Sequence, residues 1–331
     1  MTRMTEMSKR SAENVSLSWR EVAVLVIKAL FKDPDALKRF WFIDPSEERY
    51  VRPPREYELP DYRKGMKYCR SSEKYLRPTR WCNPCEPIVV ALANELGAYE
   101  IPDFEFAEAA MDFIYQNLTL EMCPFDDVSM TLKRGTGSCW HLINVFMALC
   151  RAAGIKARGK VFKQVMTEQE QNVLISSDPM FGKIYVAVNV FSQGEACVDE
   201  VWLDADVAAS PEMHAARGMP ISKLGEGRIG TQRWADPSQV RHIESAPPFA
   251  ATGMMILKWF APAMGERMNV LVQRQNAFGR KVIEEAGGIE AYDLSARRRM
   301  QFLSGEKITE EIMMLTRDAE RKQVLVFEDG L

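Results

Sequence analysis

Arg134 to Arg158 reads RGTGSCWHLINVFMALCRAAGIKAR, and this stretch decides the fold. Leu142, Ile143, Phe146, Leu149 and Cys150 recur at i, i+1, i+4, i+7 and i+8, the spacing of a helix with a buried face. Gly154 closes that helix and Ile155 is the apolar residue after the cap. Cys139 therefore falls in the first turn, where unpaired N–H groups and the helix dipole favour a thiolate. Gly135 and Gly137 let the chain turn tightly before it, and the N–H groups of Cys139 and Trp140 are placed to face an oxyanion. Cys150, on the apolar face, reads as core.

Working outward, Pro87 to Leu96, ending at Gly97, reads as a helix, and Asp103 to Gln116 as another, with Phe106, Ala109, Ala110, Phe113 and Ile114 on one face. After Lys156 the pattern changes to short valine-rich and aromatic-rich segments, KARGKVFKQV, KIYVAVNVF and VDEVWLDADV, which read as strands. Helices followed by antiparallel strands make an α+β domain.

The remaining segments frame that core. Residues 1–15 read as a flexible tail, and short helices are expected around residues 18–32 and 35–42. Pro53, Pro54, Pro60 and Pro78 interleave with charges and predict an irregular wrap. The expected organisation is a tail at 1–15, an N-terminal helical and irregular wrap at 16–84, a core at 85–210, and a loop with a helical C-terminal extension at 211–331. Within the last, 211–248 reads as loop.

Composition bounds the function. The chain has 331 residues, 47% hydrophobic and 27% charged, and 43 basic against 46 acidic side chains leave a net charge of −3. That balance gives no electrostatic drive toward nucleic acid or anionic lipid. The apolar run Val22–Ile27 is too short for a membrane span, and seven scattered cysteines suit a reducing compartment, so a cytoplasmic protein is expected. Cys82-Asn83-Pro84-Cys85 has metal-knuckle spacing, but no second pair or histidine accompanies it, and no metal or cofactor is expected. GEGRIG at 225–230 lacks the strand before and helix after that a phosphate cradle needs. Arg297, Arg298 and Arg299 read as a solvated helix face.

The run GTGSCWHLINVFMALCRAAGIKAR resembles the nucleophile helix of the transglutaminase-like proteins, a branch of the papain-like cysteine enzymes. The preceding DFEFAEAAMDFIYQNLTLE and DDVSMTLKRG are similar to what precedes that helix there, and the resemblance covers roughly residues 85–207. It implies a nucleophile helix packed on an antiparallel sheet, with Cys139 attacking, a histidine on a following strand and an aspartate on the next. In VWLDADV the aspartate falls on Asp204, with Asp206 two residues on. Where the family has its histidine this chain reads Tyr185-Val186-Ala187-Val188-Asn189-Val190, so Tyr185, or Lys183, occupies the position.

Three histidines bound the search for a substitute. His141 lies about 200° around the helix from Cys139 and should point away from it. His214 and His242 fall in the expected loop and are candidates for a base that folds back. Strand alternation puts Tyr185, Ala187 and Asn189 on one face, and a phenol there donates a proton more readily than it accepts one. The expected function is acyl transfer or hydrolysis at an amide, ester or thioester carbonyl of a small molecule or peptide. The alternatives are a binding or scaffold protein that keeps the cleft, and a proton transfer, elimination or cyclisation using Cys139 and Tyr185.

Overall fold

The computed structural model describes Lys38 and residues 41–163, 190–226, 240–247, 254–255, 258–259 and 261–301. Among these, no helix is long and apolar enough to cross a membrane.

The centre is α4, Cys139–Ala152, in which every residue from Trp140 to Ala152 is buried. The sequence pattern marks one apolar face; the helix is in fact enclosed on all sides, and its polar residues His141, Asn144 and Arg151 are buried with it. Two helices cover one side, α1 (Pro87–Glu95) and α2 (Asp103–Asn117), through a stripe of Phe106, Ala107, Ala110, Met111 and Ile114. Gly154, at φ +89°, ends α4, and Ile155 N–H bonds back to Cys150 O at 2.9 Å. A left-handed residue there suits glycine because no Cβ opposes it.

Between α2 and α4 the chain makes β1 (Thr119–Leu120), α3 (Val128–Arg134) and β2 (Thr136–Gly137). β1 and β2 pair in parallel, Leu120 opposite Gly137, and Asp127 caps α3 by accepting from Met130 N–H at 2.9 Å. This short ladder fixes the entry into α4.

The other side of α4 rests on a four-stranded antiparallel sheet in the order β5 (Val201–Ala205), β4 (Val190–Val198), β3 (Ala157–Lys163), β6 (Arg241–Ile243). Gly194 of β4 faces the helix, since a Cβ there would lie 2.8 Å from Phe146. The third segment read as a strand, 198–207, proves to contain a hairpin turn: Asp199 and Glu200 both have positive φ, the backbone of a tight two-residue connection. The expected loop at 211–248 holds α5 (Pro211–Ala216) as well as β6. Ser210 caps α5, accepting from Met213 N–H, and Pro211 starts it.

Two further helices, α6 (Pro262–Glu285) and α7 (Ile289–Gln301), follow. Residues 43–86 carry no helix or strand and run beside α6, held by Glu47–Arg267 and Glu48–Arg274 pairs and by Tyr50 N–H on Glu266. Arg297 is not a solvated charge: it reaches Asp293, Glu226 and Ile221 O at 2.7 Å each and locks α7 to the segment that follows α5. Arg298 and Arg299 are exposed.

Candidate active site

Cys139 is the first residue of α4, and Ser138 is its N-cap with extended backbone. The N–H groups of Cys139 and Trp140 stand at N1 and N2, ahead of Leu142, whose N–H is the first to bond within the helix, to Ser138 O. The thiol is half-buried in a small cluster with Trp81, Phe125, Trp140, Val161, Ile243 and Ala246. Trp81 and Phe125 meet edge to face at 5.0 Å, so the wall beside the thiol is aromatic and set. Burial pushes the thiol of Cys123 up to about 11, and it raises Cys82, Cys69 and Cys85 as well.

Val161 of β3, in this cluster, lies opposite Ser192 of β4. Residues directly opposite in an antiparallel pair share a face, so Ser192 stands on the α4 side of the sheet near the thiol. It is buried, and its hydroxyl makes no hydrogen bond among the described residues. Sequence reasoning missed it, because Ser192-Gln193-Gly194 carries little strand signal.

Asp204 is on the opposite face. It pairs across from Glu195, one residue from Gly194, and its carboxylate holds Lys160 Nζ at 2.9 and 3.1 Å. Arg158 bonds Glu195 at 2.6 Å and His242 Nε2 is 3.4 Å from the same carboxylate, so that face carries a continuous band of charge. The sheet thus separates Asp204 from the helix that bears Cys139. Asp206, just past the end of β5, is fully buried, and its carboxylate lies 4.0 Å from His214 Nε2. Tyr185, Lys183 and Asn189 lie outside the described residues.

The remaining histidine, His141, is buried beneath the first turn of α4 between Ser138 and Asp126. Cys82 is fully buried, its Sγ donating to Asn144 O at 3.5 Å, while Cys85 is partly exposed before α1, and both are free thiols. α6 borders a cavity of about 310 Å³, lined by Glu121, Cys123, Lys258 and Glu266 among others; neither Cys139 nor any residue of its cluster lines it.

Asp204→Asn follows from this placement. The substitution removes half of an ion pair about one-seventh exposed, on the face of the sheet away from α4. It is expected to lower turnover by less than about tenfold and melting temperature by a few degrees at most, roughly 1 kcal/mol. A loss of turnover as large as that of Cys139→Ala, in folded protein, would show that the carboxylate serves the thiol after all.

No curated protein matches the chain. A crystal structure of a candidate cysteine protease from Cytophaga hutchinsonii is similar at 18% identity and a TM-score of 0.32, over 51% of this chain and 50% of that one, so this chain spans half the length of that protein. The family model of the transglutaminase-like superfamily matches residues 90–207, from α1 through β5 and including Cys139. Residues 90–207 are therefore a transglutaminase-like domain.

Proposed function

We propose that this domain is a cysteine-dependent enzyme that transfers or hydrolyses an acyl group at an amide, ester or thioester carbonyl. One observation carries the reading: inside the family-matched segment, the half-buried thiol of Cys139 opens the central helix. The thiolate adds to the carbonyl carbon, and the N–H groups of Cys139 and Trp140 receive the oxyanion. Collapse expels the amine, alcohol or thiol with its proton, leaving an acyl-cysteine, which water or an incoming amine then releases. Trp81, Phe125 and Trp140 give the acyl side of the substrate an apolar wall. Tyr185 enters as the proton donor in this scheme, while Asp204, the carboxylate the family pattern assigns, stays with Lys160 on the far face of the sheet and takes no direct part.

A second reading has its own support. His141 is committed to Ser138 and Asp126, and His242 to Glu195 on the far face of the sheet, which favours a cleft used for binding or for non-acyl chemistry. Alkylation separates the two. With iodoacetamide at about pH 6.5, Cys139 should react at least tenfold faster than Cys69, Cys85 and Cys197, which are partly exposed as it is. Equal rates at Cys139 and Cys197 would remove the activated nucleophile and leave the binding reading.

A further inference from the structure

We propose that His141 is the positioning residue of this site: an imidazole, oriented by Asp126 and Arg134, that holds the first turn of α4 and with it Cys139. The proposal rests on Cys139 being the working thiol, as argued above.

The ring sits at N3 of the helix, the position from which a glutamate or glutamine side chain reaches back to the N-cap in a capping box. Ser138 N–H meets Nδ1 at 3.0 Å, and Ser138 Oγ lies 2.7 Å from the same nitrogen. On the other side Nε2 accepts from Asp126 N–H at 3.1 Å and lies 3.3 Å from Asp126 Oδ1. A neutral imidazole has one donor and one acceptor nitrogen. Each ring nitrogen here faces a backbone N–H and a side-chain oxygen, those of Ser138 at Nδ1 and of Asp126 at Nε2, so either tautomer keeps a bond on both sides. Asp126 stays ionised in this place, because its bonds to His141 and Arg134 outweigh burial and hold its carboxyl down at about 2. Arg134, at the end of α3, pairs with it and also donates to Thr136 O at 3.0 Å, tying the relay to β2.

Packing fixes the ring as firmly as the hydrogen bonds do. His141 is 1% exposed, and Phe125 lies tilted against it at 4.4 Å between centroids. Phe125 also touches Trp81 in the wall beside Cys139, so the ring supports both the helix start and the aromatic wall. Gly137 makes the approach possible, since a Cβ there would fall 2.5 Å from His141 Cβ. A glutamate, which only accepts, would serve the N-cap alone. The imidazole serves the N-cap at one nitrogen and the 125–126 segment at the other.

The test uses the full chain and two readouts, the iodoacetamide rate at Cys139 relative to Cys197 and backbone hydrogen exchange over residues 137–143. His141→Leu keeps the volume and removes both bonds; His141→Gln keeps an acceptor for Ser138 and a donor for Asp126. Leucine should slow Cys139 alkylation about tenfold or more and speed exchange over 137–143 by a similar factor, while glutamine stays within about threefold of the parent on both. Should the leucine variant not fold, Asp126→Ala decides, with the same directions and a factor of about three. Parent values in His141→Leu or in Asp126→Ala, or glutamine as impaired as leucine, would overturn the proposal. If Cys139 of the parent chain reacts no faster than Cys197, the proposed function fails in that arm alone, and exchange still judges His141.

Discussion

Cys139→Ala is expected to abolish acyl transfer, by a factor on the order of a thousand or more, and to leave the fold in place. The two halves of that expectation have separate causes. Without the thiol no acyl-enzyme forms, and what remains is whatever rate the N–H groups and the cleft give to direct attack by water. The stability cost is small because Cys139 is half-buried at the end of a helix whose interior supplies the core, from Leu142 through Ala152. Alanine suits the first helical turn and deletes one sulfur from the cluster with Trp81 and Phe125, a change of about 1 kcal/mol or less. The measurement pairs hydrolysis of a panel of simple esters, thioesters and amides with thermal melting. Full turnover by the alanine variant would assign the chemistry elsewhere, and loss of turnover together with loss of the folded state would assign Cys139 to structure.

The helices of the core were legible because each carries its own punctuation. Gly97 and Gly154 close α1 and α4 at positive φ, and an uninterrupted 3.6-residue period lies between start and stop. β4 was legible only at its first two residues. Ser192-Gln193-Gly194-Glu195-Ala196-Cys197 is poor in strand-forming side chains, and the strand forms there for tertiary reasons: Gly194 leaves room for Phe146, and Glu195 meets Arg158 on one neighbour and stands opposite Asp204 on the other. α5 had a readable start in Ser210-Pro211-Glu212, but six residues give too little periodicity to distinguish it from loop.

The same division runs through the candidate site. Position along the helix identified Cys139 and turned His141 away from it, since both follow from 100° per residue. What His141 does could not be read, because Asp126 lies on a segment brought beneath the helix only by the β1–β2 ladder. The face of Asp204 was equally hidden. Alternation puts Asp204 and Leu203 on opposite sides of β5, but which side meets α4 is decided by Gly194 and Phe146, residues on other elements. Arg297 was misread as solvated for the same reason, its partner Glu226 being 71 residues away.

Arg151→Leu should lower stability by about 3 to 5 kcal/mol, the largest structural effect of any single change considered for this chain. The guanidinium is completely buried. It donates to Ala157 O at 3.1 and 2.8 Å, to Glu244 O at 2.6 Å and to Arg77 O at 3.2 Å, and its Nη1 lies 3.5 Å from Cys82 Sγ. Three chain segments thus end on one side chain: β3, the turn after β6, and the 43–86 wrap. Leucine supplies apolar volume that offsets part of the loss, yet each carbonyl left unpaired in the interior costs about 1 to 3 kcal/mol. Arg77 O and Glu244 O lie on partly exposed segments that can recover some hydration, which sets the sum nearer the lower end than three full penalties. Melting temperature should fall by roughly 6 to 20 °C, with Arg151→Lys intermediate, because one ammonium reaches fewer of the acceptors than a planar fork. The loss extends to the site. Trp81 follows the wrap and Ile243 and Ala246 flank Glu244, so releasing those segments loosens the wall against Cys139, and alkylation of that thiol by iodoacetamide should lose its selectivity below the melting transition. A leucine variant that melts within about 2 °C of the parent would show that the three segments are held by their apolar contacts and that the buried charge is incidental to them.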